Sequence, residues 1–133
     1  MQKLLFVCVE NANRSQMAQA FATLHGAGRV VAYSAGSRPS GTVNPKAVAA
    51  MRELGYDLST HASKSLDEVR DLAFDYVVTM GCGDACPFVQ ARHRRDWQIP
   101  DPRHLAPAAF NEVRDLIERE VLALLKDASL NEE

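Results

Sequence analysis

Short runs of apolar residues alternate along this chain with longer segments in which apolar residues recur every three or four positions. Short apolar runs bounded by turn residues are typical of strands buried in a parallel sheet. The recurring pattern is that of amphipathic helices, each with one face directed to a core. The predicted strands cover residues 3–7, 29–34, 74–80 and 97–99. The predicted helices cover residues 15–24, 45–54 and 110–126, with a shorter helix that follows residue 65.

Residues at the ends of these segments support the predicted limits. Asn44 followed by Pro45 is a helix-start signal, because Asn caps free N–H groups and Pro fits the first helical turn. Ser65 with a glutamate three residues later has the spacing of a capping box. The periodicity places Leu24 in the core and Leu54 on the second helix, and the chain from about residue 127 is expected to fray.

The order of these elements predicts the fold. Strands alternate with helices, which is typical of an α/β protein with a small, mainly parallel four-stranded sheet flanked by helices. No repeat or linker divides the chain, so we expect a single domain over residues 1–133. Ligands of parallel sheets bind at the carboxyl ends of the strands. Three loops, at residues 8–15, 81–86 and 101–107, are expected to meet there.

Composition narrows the classes of function. The chain has 133 residues, 47% of them hydrophobic and 24% charged, with a formal net charge of −2. This balance is typical of a globular protein and gives no sign of nucleic-acid binding. No apolar run reaches the roughly 20 residues of a membrane span, and no signal sequence precedes the first strand, so a cytoplasmic protein is expected. Three cysteines is an odd number, and in a reducing compartment they are expected to be reactive or metal-binding rather than structural.

The loop at residues 8–15, here called the anion loop, has the sequence Cys-Val-Glu-Asn-Ala-Asn-Arg-Ser. It joins a strand to a helix, where backbone N–H groups favour negative charge. Arg14 can add a two-pronged contact to an oxyanion, and the same positive field stabilises the thiolate of Cys8. The alternative is a buried structural cysteine beside a solvent-facing arginine. The residues expected to hold the oxyanion are Glu10, Asn11, Ala12, Asn13, Arg14 and Ser15.

Two further groups are candidates for chemistry. Cys82 and Cys86 can form a disulfide, bind a metal or be inert, and a metal site is disfavoured because His93 is the one nearby histidine. Asp101 before Pro102 can donate a proton to a leaving oxygen or be an ordinary turn residue.

A basic cluster at residues 92–95 is either a solvated surface or a docking patch for an acidic redox protein or a carboxylate-bearing thiol. His25, His61 and His104 are scattered, and no role is predicted for them.

These motifs, taken in order, resemble the arsenate reductases built on the low-molecular-weight tyrosine phosphatase fold. The resemblance rests on the anion loop followed by Gln-Met-Ala, then Tyr33-Ser34-Ala35-Gly36, Val43-Asn44-Pro45, Val78-Thr79-Met80-Gly81-Cys82, Asp96-Trp97 and Asp101-Pro102. It covers nearly the whole chain. The related phosphatases carry Asp-Pro-Tyr, whereas Arg103 stands in the tyrosine position here.

The resemblance implies a three-cysteine mechanism. Cys8 attacks arsenate held by the loop amides and Arg14, while Asp101 protonates the departing oxygen. Cys82 then attacks Cys8 and arsenite leaves. Cys86 next attacks Cys82, so that a Cys82–Cys86 disulfide remains for an external reductant. Glycines at 81 and 83 would allow the cysteine loop to move.

The resemblance also bears on partners and ions. It implies arsenate as substrate, with phosphate or sulfate as analogues, no cofactor, no metal, and a monomer reduced by thioredoxin, mycothiol or glutathione. Some members bind potassium, but Gln19 and Lys64 stand at the acidic positions here, so the Lys64 ammonium is expected to replace the ion. Glu10 is expected to face solvent.

Two other functions remain open from the sequence. A phosphatase would hydrolyse phosphomonoesters through a Cys8 phosphoenzyme and keep its turnover without Cys82 and Cys86. A redox sensor or an anion-binding module would turn over neither substrate.

Overall fold

The computed structural model of this chain describes residues 1–81 and 89–131, with side chains described as far as Ala128. The described part is an α/β fold whose four strands are all parallel, in the order β2-β1-β3-β4. The strands are β1 (Gln2–Cys8), β2 (Val30–Gly36), β3 (Phe74–Thr79) and β4 (Ala91–Asp96). The helices are α1 (Arg14–His25), α2 (Pro45–Arg52) and α3 (Pro107–Asn131). The predicted fold class is therefore confirmed.

The fourth strand differs from the prediction. It is formed by the basic cluster, Ala91–Asp96, and not by residues 97–99. An edge strand pairs with one neighbour and can leave its side chains exposed, so it needs no apolar pattern. Trp97 and Ile99 instead follow the strand as buried residues, and the Trp97 ring lies 5.9 Å from that of Phe6.

The central strand β1 is buried on both faces, which explains its continuous apolar run. Leu4 and Phe6 belong to the larger core, which also contains buried residues of α1, α2 and α3. Leu5 and Val7 belong to a smaller core on the other face of the sheet. The sheet thus lies between these two cores, and Cys8 is the last residue of its central strand, at the carboxyl edge.

Three details of the predicted helices are wrong. Leu24 is 41% exposed, although Met17 and Phe21 of the same helix are fully buried, and Leu54, also 41% exposed, lies beyond Arg52, where α2 ends. Helix α3 does not fray at residue 127 but continues to Asn131. Its carbonyl at Ala128, a buried residue, accepts a hydrogen bond from the Gln2 side chain at 3.0 Å.

The predicted helix starts are confirmed. Asn44 caps α2, where its side chain accepts from the backbone N–H of Lys46. Ser65 and Glu68 form the capping box, although the helix they begin is a single 3₁₀ turn, Leu66–Glu68. Within the described residues, no helix is long and apolar enough to cross a membrane.

Candidate active site

A pocket of about 120 Å³ opens at the carboxyl end of β1. It brings the anion loop together with the loop that follows β4, two segments more than 80 residues apart in the sequence. Its described lining residues are Cys8, Val9, Glu10, Ala12, Asn13, Arg14, Asp101 and Arg103. Cys82 and Cys86 lie outside the described residues, so the geometry below concerns Cys8, its loop and Asp101.

The carbonyl groups of the anion loop all bind donors that are not among the residues lining the pocket. The six pairs, carbonyl first, are Cys8 with Ser37, Val9 with Arg38, Glu10 with Ser40, Asn11 with the Gln16 side chain, Ala12 with Asn44, and Asn13 with Met17. A trans peptide points its C=O and the following N–H in opposite directions. With the carbonyls bound outside, the N–H groups of residues 9–14 are turned toward the pocket, where they favour an anion.

The nucleophile candidate lies at the base of this pocket. Cys8 is 3% exposed, and its Sγ lies 2.8 Å from the hydroxyl of Ser15. The Ser15 oxygen already accepts a hydrogen bond from the Asn11 amide at 2.7 Å. Its own hydrogen is therefore available to the sulfur, and a donor in this position stabilises a thiolate.

Asn11 is the residue that connects the loop to its surroundings. It is fully buried and has a left-handed backbone with φ of 51°. Its Oδ1 accepts from the backbone N–H of Lys64 at 2.7 Å and from the Gln16 amide at 2.9 Å. Because the oxygen is held on that side, the Asn11 NH₂ group must point to Ser15. Asn tolerates this backbone conformation better than most residues, which accounts for its place here.

Sequence reasoning missed the residues behind Asn11. The Gln16 amide donates to Asn11, so its oxygen must accept from His61 Nδ1 at 2.9 Å. Nε2 of the neutral ring then accepts from the Tyr56 hydroxyl at 2.6 Å. A directed chain of hydrogen bonds thus runs from Tyr56 to Cys8. Burial and, second, the nearby Lys64 ammonium lower the pKa of His61, which keeps the ring neutral in this role.

Arg14 is the first residue of α1 and is only 9% exposed. Its Nη1 donates to the carbonyl of Ile99 at 3.1 Å. Gly81 packs directly against the guanidinium, since a Cβ there would lie 2.5 Å from Nη1. Its φ of +84° is also one that other residues rarely adopt. Besides any hinge role, Gly81 therefore leaves room for the arginine, a constraint that the sequence does not reveal.

Asp101 and Glu10 meet at one arginine. Arg103 Nη1 donates to Glu10 Oε2 at 2.8 Å, and its Nε lies 3.3 Å from Asp101 Oδ2. The Glu10 side chain is 40% exposed, so the prediction that it faces solvent is only partly met. Its carboxylate is bound at the mouth of the pocket instead of standing free in water.

Lys64 lies beside this network. Its ammonium donates to the carbonyl of Ala62 at 2.8 Å, the same carbonyl that accepts from the Gln16 amide. Burial lowers the pKa of Lys64. Gln19 is engaged elsewhere, accepting from Ser34 and donating to the backbone. Among the described residues, no group of three His, Cys, Asp or Glu side chains could hold a metal ion.

Comparison with known proteins gives a consistent result. A family model described as low molecular weight phosphotyrosine protein phosphatase matches residues 3–133. A glutaredoxin arsenate reductase from Synechocystis is 36% identical over 97% of this chain and 100% of its own length.

Two solved structures are similar to this chain in both fold and sequence. An arsenate reductase in the phosphate binding state has a TM-score of 0.88 at 35% identity, covering 96% of this chain and 99% of that one. A thioredoxin-dependent arsenate reductase from Corynebacterium glutamicum has a TM-score of 0.82 at 33% identity, covering 98% of this chain and 63% of that one.

Replacing Gly81 with alanine should weaken the binding of inorganic phosphate by about tenfold, because the new Cβ displaces the Arg14 guanidinium. Isothermal titration calorimetry on the reduced protein measures the change. Gly55→Ala is the matched control, since Gly55 has a similar φ of +82° but open space around its Cβ position. If both variants bind phosphate equally well, the contact with Arg14 does not matter for the site.

Replacing His61 with glutamine should flatten the dependence of folding stability on pH. The folded-state pKa of His61 is lowered, so the unfolded chain binds more protons there, and the stabilisation is complete only above the unfolded pKa of about 6.5. It is lost as pH falls through the folded pKa. Gln can still donate to Gln16 but does not titrate. Urea unfolding at about pH 7.5 and about pH 5 should show the larger loss in the wild type, and equal losses would contradict the assignment.

Proposed function

This chain belongs to the low-molecular-weight phosphotyrosine protein phosphatase family, and on that premise we propose that it is an arsenate reductase, converting arsenate to arsenite. The observation that carries the proposal is the Cys8–Ser15 pair at the base of an anion loop whose N–H groups face one pocket. A thiolate held beside a bound tetrahedral oxyanion is arranged to attack its central atom. The relatives and solved structures that share this fold at 33–36% identity are named arsenate reductases.

The first step forms a bond between Cys8 and arsenic. Arsenate binds to the loop amides and Arg14, the Cys8 thiolate attacks the arsenic, and one oxygen leaves as water. Asp101 lines the same pocket and would supply the proton for that oxygen. Arsenic remains pentavalent in this adduct, so no electrons have yet been transferred.

The second step carries the reduction and needs Cys82. Its thiolate attacks the Cys8 sulfur, an S–S bond forms, and the electron pair of the S–As bond stays on arsenic, which leaves as trivalent arsenite. Cys86 then attacks Cys82, and Cys8 departs as a thiolate. The Ser15 hydroxyl stabilises that leaving thiolate as it did the attacking one. The product is a Cys82–Cys86 disulfide, and the two electrons that the protein lost have passed to arsenic.

An external thiol must reopen this disulfide. One relative is named a glutaredoxin arsenate reductase and one solved neighbour is thioredoxin-dependent, so both types of reductant are supported by likeness. We favour thioredoxin, because the relay ends in an intramolecular disulfide that a dithiol protein can reduce. A reducing cytoplasm, which keeps three thiols available, is the compartment that suits such a cycle.

Stoichiometric arsenate should remove about 2 Da from the intact reduced protein, because one disulfide forms at the expense of two thiol hydrogens. Mass spectrometry of anaerobic, desalted protein measures the change, and phosphate is the control that should leave the mass unaltered. Peptide mapping should place the bond between Cys82 and Cys86. An unchanged mass with arsenate would require the relay to be withdrawn.

The Cys82→Ser and Cys86→Ser variants separate the reductase from a phosphatase. A reductase loses multiple turnover in both variants, whereas a phosphatase would keep its hydrolysis of p-nitrophenyl phosphate. Mass mapping adds detail, since Cys86→Ser should stop at a Cys8–Cys82 bond. Cys82→Ser should form neither disulfide.

Arsenate turnover should be the same within about twofold in potassium and in sodium, because the Lys64 ammonium already supplies a positive charge at the Ala62 carbonyl, which also binds the Gln16 amide behind Asn11. Steady-state rates in matched chloride salts at constant ionic strength measure the ratio. A several-fold stimulation by potassium would show that a cation is still required beside the loop.

A further inference from the structure

Arg103 spans the mouth of the pocket. Its side chain starts in the loop after β4 and reaches Glu10 in the anion loop, a residue 93 positions away. On the way its Nε contacts Asp101, and its backbone N–H also donates to the Asp101 carboxylate at 3.1 Å. Lys46 of α2 binds the Arg103 carbonyl at 3.0 Å and fixes the backbone from outside.

Arg103 offsets negative charge at the mouth of the pocket. Glu10 and Asp101 are carboxylates that line a pocket for an anion, and Arg14 is the other lining residue that carries a positive charge. Without Arg103, the Glu10 carboxylate would stand unpaired at the entrance and repel an arriving oxyanion. With it, the Glu10 charge is neutralised and no longer opposes the field of the loop amides and Arg14.

The pair also occupies space at the entrance. Arg103 and Glu10 are both part of the pocket lining and both partly exposed, at 45% and 40%, while Cys8 and Arg14 lie deep. A bare oxyanion has nothing beyond its four oxygens and fits beneath such a bridge. A phosphate ester also carries an organic group, which must extend out of the pocket through the same opening.

We propose that Arg103 is a specificity-determining residue, which neutralises Glu10 and bridges the pocket mouth so that the site selects a bare tetrahedral oxyanion over its organic esters. The biological meaning of this selectivity rests on the proposed function, since arsenate is a bare tetrahedral oxyanion. Exposed ion pairs contribute little to folding stability, so variants of this pair should fold.

Two pairs of substitutions test charge and bulk separately. Arg103→Gln should weaken phosphate binding about tenfold, because Glu10 is left unpaired, and Glu10→Gln in that background should restore it to within about threefold. Arg103→Ala with Glu10→Ala removes the bridge as well as the charges. It should shift the ratio of phenylphosphonate to phosphate affinity by about tenfold toward phenylphosphonate, relative to the glutamine pair.

Isothermal titration calorimetry with inorganic phosphate and phenylphosphonate measures these affinities on the reduced, full-length protein. The matched control is Asp67→Ala with Arg70→Ala, an exposed ion pair outside the pocket lining, which should change neither affinity. The proposal is overturned if Glu10→Gln fails to rescue Arg103→Gln, or if the alanine pair leaves the ratio unmoved. Neither probe is reduced, so this result stands apart from the arsenate mass measurement.

Discussion

The site depends on where the anion loop directs its carbonyl groups. Six consecutive carbonyls, from Cys8 to Asn13, bind donors that lie outside the pocket lining. A short loop does not hold its N–H groups inward without support, because its carbonyl groups also need hydrogen-bond donors. Once they are bound outside, the inward N–H groups form an anion site without further adjustment.

Four of the six donors that hold these carbonyls come from a more distant part of the chain. Residues after β2 bind three of them, and the cap of α2 binds a fourth. The parallel pairing of β1 with β2 brings the first group into register, since Cys8 lies opposite Gly36. Gly36 must lack a side chain there, because a Cβ would lie 2.6 Å from the carbonyl oxygen of Val9. Fold and site are thus linked by backbone hydrogen bonds rather than by side-chain packing alone.

A second layer of polar side chains fixes the direction of the hydrogen bonds that lead to the Cys8 sulfur. Buried amides and hydroxyls in such a layer must all be satisfied, so each donor determines the orientation of the next. From Tyr56 through His61, Gln16 and Asn11, the hydrogens all point toward Ser15 and Cys8. The Glu10–Arg103 pair lies instead at the mouth of the pocket, where both side chains are partly exposed.

The sequence by itself determined the elements with strong local signals: the buried strands, the caps at Asn44 and Ser65, and the loop from Cys8 to Ser15. It also determined the α/β class, because alternation of these elements allows few other arrangements. Only the tertiary structure decided that the basic segment Ala91–Asp96 is the edge strand, since edge pairing imposes no apolar pattern. It also decided the contacts of His61, Gly81 and Arg103. Each of these lies against a residue far away in sequence, and local periodicity carries no information about such contacts.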